Sequence, residues 1–226
     1  IPTENVSAIP ELAKYLKKRM AEIGVSDAWA SEQNPNVNSG PDRGHSHSTE
    51  KIIQPGDVIQ IDFGIKVYDI WCTDIQRFAY VLKPGELKAP DNIQKIFNVA
   101  IEGHRKVLAA MKPGVTGWEV DKVQREWLKE NNSLPVMWGT GHPVGYWAHD
   151  AGPAISGAAS AAEPYGNNAR LLKSGQTFAF DGFYTWERAD GTTKTFSIEE
   201  MAVITNEGAE YMQIPQEELI LISSGF

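Results

Sequence analysis

Between Val58 and Val67 apolar and polar residues alternate: Ile59, Ile61, Phe63, Ile65 and Val67 fall on one side, and Gln60, Asp62 and Lys66 on the other. A period of two is the signature of a β-strand with one face buried. A second strand over roughly 71–82 follows the Tyr68-Asp69 turn, which predicts a hairpin. Upstream, Leu12, Leu16, Met20 and Ile23 recur at spacings of three and four, with Pro10 near the start and Gly24 after the end, so 8–23 reads as an amphipathic helix. Downstream, Ile93, Ile96, Phe97, Ala100, Ile101, Val107, Leu108 and Met111 make one stripe over 91–112, stopped by Pro113-Gly114. A further helix opens on Thr116-Gly-Trp-Glu119, where each end can satisfy the other's backbone donor, and it ends at Asn131-Asn132. Strand-like pieces follow near 134–149, then an Ala/Gly-rich loop over 151–170, then strands near 176–186 and 193–205. Neither a repeat nor a compositional break divides the chain, so one α+β domain over 1–226 is expected.

Several acidic and imidazole side chains interrupt this pattern in costly places. Asp62 sits among Ile59, Ile61, Phe63 and Ile65, where a carboxylate without a partner is unfavourable. Twelve residues separate it from Asp74, so a hairpin centred on Tyr68 sets the two directly opposite, their Cβ atoms roughly 4.5–5.5 Å apart. Carboxylates that close repel unless a cation or a shared proton lies between them. His142 and His149, separated by a Gly-containing turn, could address one cleft, although a lone histidine is more often an ordinary packed residue. Asp181 ends the apolar run Thr177-Phe-Ala-Phe. In Ile198-Glu199-Glu200-Met201 alternation puts the two glutamates on opposite faces and does not choose between them. His104 lies in a helical stripe and reads as structural, and His45 and His47 lie in the polar loop of 34–57.

Composition narrows the chemistry. A net charge of −8 without a basic cluster argues against nucleic acid or an anionic membrane surface as partner. No apolar run approaches the roughly 18 residues of a membrane helix. A single cysteine, Cys72, precludes an internal disulfide framework and fits a reducing, cytoplasmic compartment. The chain begins at Ile1 and reads as an excised portion of a longer protein.

In this order "PGDVIQIDFG", "TDIQR", "GTGHPVGYWAHD", "LKSGQTFAF" and "IEEMAVITNEGAEYM" resemble the metallopeptidase family of methionine aminopeptidases, prolidases, aminopeptidase P and creatinase, over about residues 35 to 211. The resemblance implies the pita-bread fold: two pseudo-symmetric halves with helices packed on a curved antiparallel sheet. It also implies two divalent ions (Mn, Co, Fe or Zn), with Asp62, Asp74, His142, Asp181 and Glu199 as ligands and Asp74 and Glu199 bridging. His149 would stabilise the tetrahedral intermediate, Asp181 would also shuttle the proton, and His45, with His47 as fallback, would lie near the substrate. A metal-bridged hydroxide would then cleave a short peptide or small amide in an aminopeptidase or dipeptidase reaction, with a homodimer as the assembly to expect. The alternatives are a catalytically silent binding module of the same fold and a metal-free amidinohydrolase of the creatinase type.

Four positions depart from the family pattern. The aspartate spacing is one residue wider, and Asp181 stands for a glutamate, which shortens the ligand by about 1.5 Å. Trp138 replaces the histidine of the Xaa-Pro members, and Ser197 replaces an arginine that they often carry.

Overall fold

The computed structural model describes residues 9–41 and 50–223. In chain order the elements are α1 (Ile9–Ile23), β1 (Ser26–Asp27), β2 (Asn36–Ser39), β3 (Val58–Phe63), β4 (Ile65–Val67), β5 (Trp71–Cys72) and β6 (Ile75–Val81). They continue as α2 (Asp91–Ala110), α3 (Gly117–Glu130), β7 (Gly141–Pro143), β8 (Thr177–Glu187), β9 (Thr193–Ile204), β10 (Ala209–Tyr211) and β11 (Ile220–Ile222). Among the described residues they form two four-stranded sheets, ordered β11-β6-β3-β2 and β10-β9-β8-β7, and a small sheet β1-β4-β5. All pairings are antiparallel except β11 with β6, which is parallel.

Helix α3 starts where its sequence says it should. The Thr116 hydroxyl accepts from the Glu119 amide at 3.2 Å while the Glu119 carboxylate accepts from the Thr116 amide at 2.8 Å. Such a cap is worth about 1 kcal/mol. The apolar stripes of α2 and α3 pack on the β8–β9 side. Phe97, Ala100, Phe196, Ile198 and Phe78 form one buried cluster, and Val107, Met111, Val120, Phe178 and Phe180 another. Each fully buried phenylalanine contributes roughly 2 kcal/mol of transfer free energy. Close approach of α2 to β8 needs Gly182, because a Cβ there would collide with the Ala100 carbonyl and the His104 side chain.

The hairpin register differs from the expected one. Asp62 pairs with Gln76, not Asp74, and Lys66 and Val67 pair with Cys72 and Trp71. Tyr68 and Asp69 both adopt left-handed backbone, with φ of 54° and 55°, and the turn runs through Ile70, whose amide donates to the Val67 carbonyl. That three-residue turn shifts the centre to Asp69. Asp74, between β5 and β6, becomes a diagonal rather than direct neighbour of Asp62. The parity is unchanged, so both still belong to one side of the sheet, within diagonal reach.

A second difference lies upstream of β7. Strand-like pieces were expected near 134–149, but only Gly141–Pro143 pairs as a strand. The Arg125 guanidinium takes over the role of a neighbouring strand there, donating to the Val136 carbonyl at 2.6 Å and to the Trp138 carbonyl. At the other end of the molecule, β11 covers Ala79–Val81 of β6. Just beyond it the Gln216 carboxamide accepts from the Phe78 amide at 2.8 Å and donates to the Phe78 carbonyl at 2.7 Å. No described helix is long and apolar enough to cross a membrane.

Candidate metal centre

The carboxylates meet where β6 runs beside β9. Strand β3 supplies Asp62, the residue preceding β6 supplies Asp74, and β9 supplies Glu199. One donor oxygen from each lies within 4.8 Å of the others. All three residues are buried, at 9%, 3% and 3% exposure. Burial, then the charge of Glu199, holds the Asp62 carboxyl well above its ordinary range. Burial likewise raises Asp74, with Glu199, Asp62 and Asp181 adding repulsion. Gathering these groups out of water is unfavourable unless positive charge or protons compensate.

His142 enters the cluster from β7. Its Nε2 stands 3.6 Å from Asp74 Oδ2 and 3.7 Å from Glu199 Oε1. These separations exceed a good hydrogen bond. They match ligands that share an ion, since two donors at about 2.1 Å and a tetrahedral angle are ~3.4 Å apart. The other ring nitrogen, Nδ1, is 3.3 Å from the Pro143 carbonyl, a contact that favours the tautomer with a free lone pair on Nε2. His149, exposed, stacks on His142 with ring centroids 4.0 Å apart and planes 27° apart. Its donor atom joins those of Asp74 and His142 within 4.8 Å.

Asp181 lies beside the cluster but in neither group of donors. It pairs in register with Glu199 and its amide donates to the Thr140 carbonyl at 2.7 Å. Its Oδ1 is buried with no hydrogen-bond partner among the described residues. Burial first, then Glu199 and Asp62, raises its carboxyl well above the usual range. A buried polar set that includes such an oxygen fits a cation better than it fits a dry interior. His45 and His47 lie outside the described residues. His104 is remote from this cluster: its Nδ1 meets the Tyr211 hydroxyl at 2.9 Å and its Nε2 the Phe180 carbonyl at 3.2 Å. Burial pushes it down to about 3, so it is a neutral packing residue.

Sequence reasoning missed the amides behind Glu199. Gln76 Nε2 donates to Glu199 Oε2 at 2.7 Å, and Gln76 Oε1 accepts from Ser197 Oγ at 2.6 Å and from Gln60 Nε2. Gln60, Gln76 and Ser197 are all fully buried. Their trace in the sequence was the placement of Gln60 on the same polar side of the strand as Asp62. Ser197, the departure from the family's arginine, is thus part of this relay. Trp138 packs edge-on against Phe183, centroids 5.6 Å apart, and Phe183 pairs in register with Ser197. Glu200, the alternative to Glu199, turns the other way and meets Arg77 at 3.0 Å through both guanidinium nitrogens.

The profile of metallopeptidase family M24 matches residues 6–206. The chain is 28% identical over 177 residues to an Xaa-Pro dipeptidase of Pyrococcus furiosus, covering 78% of this chain and 45% of the relative. Its fold is similar to that of an X-Pro aminopeptidase from Thermotoga maritima, with a TM-score of 0.79 and 26% identity, over 96% of this chain and 56% of the other. It also superposes on a methionine aminopeptidase from Rickettsia prowazekii, with a TM-score of 0.73 and 17% identity, over 94% and 88% of the two chains. The architecture is therefore the pita-bread α+β fold. This chain spans about half the length of the curated relatives it matches.

Proposed function

The chain belongs to metallopeptidase family M24, and from that premise we propose that it is a metal-dependent hydrolase of short peptides, acting as an aminopeptidase or dipeptidase. The observation that carries this reading is the spacing of His142 Nε2 from Asp74 and Glu199, too long for hydrogen bonds and suited to a shared ion. Relatives that are an Xaa-Pro dipeptidase and an X-Pro aminopeptidase support a peptide substrate. Asp62, Asp74, Glu199 and His142 would hold two divalent ions of the Mn, Co, Fe or Zn class, with Asp74 common to both positions. When bound, such ions supply Lewis acidity, acidifying water toward neutral pH and polarising the scissile carbonyl.

The chain's own residues do the rest. The Pro143 carbonyl fixes the His142 ring so that Nε2 faces Asp74 and Glu199. The Gln76 amide holds one Glu199 oxygen and turns the other toward His142. Asp181 stands opposite Glu199 in register, placed to carry a proton beside the cluster. The described elements act as one catalytic unit, and the lone buried Cys72 fits a cytoplasmic setting.

Purified protein stripped with a chelator is expected to lose nearly all turnover of N-terminally free dipeptides and to regain it with added Mn, Co or Zn. Turnover that survives complete metal removal would overturn the reading.

A further inference from the structure

Toward the turn of the β8–β9 hairpin lies a cavity of about 410 Å3, within the size range of small-molecule sites. Its walls come from the ends of β6, β8 and β9 and from the start of α2. Trp186 and Lys194, which line it, pair across the hairpin in register. Each stands five residues along its strand from Asp181 or Glu199. At 3.3 Å per residue the cavity is therefore roughly 17 Å from the carboxylate cluster.

Its charge runs against that of the chain. The protein carries 29 acidic and 21 basic side chains, yet Lys83, Arg188 and Lys194 line this cavity against a single lining carboxylate, Glu187. Lys194 is 1% exposed and belongs to the buried floor with Val58 and Tyr80, whereas Lys83 stands exposed at the rim. A cation set in low-dielectric walls acts on a bound charge more strongly than one in water. Gly56 makes room for the Lys83 stem: its φ is +94°, and a Cβ there would lie 2.6 Å from Lys83 Cε. Asp190 approaches Arg188 at its Nε, 3.6 Å away, which is beyond a good hydrogen bond.

The remaining wall is apolar and flat. Trp186 is held by stacking on Phe196, with ring centroids 5.1 Å apart. The start of α2 adds a smaller attraction for negative charge. Pro90 at its N-cap supplies no side-chain acceptor, and Asn92 and Ile93 of its first turn line the cavity.

We propose that this cavity binds a small organic anion, a carboxylate or phosphate joined to a flat apolar group. The head lies among Lys83, Arg188 and Lys194, and the body lies against Trp186. The site is separate from the metal cluster and does not depend on the hydrolase reading.

The test is calorimetric titration of the purified full chain with two pairs of probes, phenyl phosphate with inorganic phosphate and benzoate with acetate. At least one ring-bearing probe is expected to bind at one equivalent, roughly 3- to 10-fold tighter than its ring-free partner because of the aromatic wall. Whichever of the two binds tighter identifies the head group. Lys83→Met and Arg188→Met should each weaken that binding by about 10-fold or more, as loss of a charge-assisted hydrogen bond does. Trp186→Leu should remove the advantage of the ring. His142→Ala, at the metal cluster, should leave the binding unchanged. Because Lys83 is exposed, the melting temperature of Lys83→Met should match wild type, which separates a lost contact from a lost fold. Absence of binding at millimolar concentration, binding lost in His142→Ala, or binding unchanged in both rim variants would overturn the inference and leave the hydrolase reading standing.

Discussion

Glu199 and Glu200 are neighbours on β9, both buried, and they live in opposite surroundings. Glu200 faces the Arg77 guanidinium, the Gln213 amide at 2.6 Å and the Gln216 backbone amide at 2.6 Å. A guanidinium and two amides thus donate to this one carboxylate. Glu199, one residue earlier, faces Asp62, Asp74 and Asp181, with the Gln76 amide as a neutral donor. Consecutive residues of β6 serve consecutive residues of β9, Gln76 on one face and Arg77 on the other. The fold thus knows how to compensate a buried glutamate and does so a single residue away. Carboxylates gathered this closely beside Glu199 make a place suited to a cation.

The harshest way to break this comparison is Arg77→Met. Stripping its partner from Glu200 should cost about 3 kcal/mol, as for other broken buried pairs, measured by urea unfolding of the metal-free protein. A loss below about 1 kcal/mol, the value of an ordinary surface pair, would mean that the Glu200 pocket is not the compensated one.

Acid sharpens the contrast through His104, which packs against β8 on the α2 side. Its folded pKa is depressed to about 3 from 6.5. Between those values the unfolded chain binds the extra proton, so stability is intact above pH 6.5 and falls as pH drops toward 3, by up to about 1.4 kcal/mol per pH unit. His104→Gln, which can keep both hydrogen bonds, should flatten this slope. An unchanged slope would relocate the acid sensitivity elsewhere.

The mildest test inverts the usual sign of a buried substitution. In the metal-free protein Asp62→Asn should raise the melting temperature by about 2–4 °C, the shift that ~1 kcal/mol brings in a chain of this size. The gain should be greatest at neutral pH and fade on acidification, because a carboxyl whose pKa is raised in the folded state already accepts its proton there. Added metal should no longer stabilise the variant. A lower melting temperature would show that the gathered carboxylates do not repel enough to weaken the metal-free fold.

Local pattern carried most of the fold. Helical stripes and the Thr116–Glu119 cap were legible because they depend on residues three or four apart. The hairpin register was not, because placing Tyr68 and Asp69 in left-handed backbone is a property of the turn that alternation does not encode. Nor was the stretch before β7, whose carbonyls are held by an arginine from α3. At the site, ordered motifs pointed to the acidic and imidazole side chains, and the choice between Glu199 and Glu200 needed the resemblance. In space that choice is set by which face of β9 meets Arg77 and which meets Gln76, partners over a hundred residues away. The relay through Gln60 and Ser197 is equally long-range and invisible to any window.

The Gln216 carboxamide gives Phe78 both bonds that a strand neighbour would supply. It stands where β11 stops covering β6, so it closes the gap that would otherwise leave exposed main chain open to another polypeptide. Shortening the chain to lose the segment from Gln216 onward would therefore uncover a sticky rim on the very strand that carries Gln76 and Arg77. Self-association would then be the first symptom, ahead of any change at the cluster.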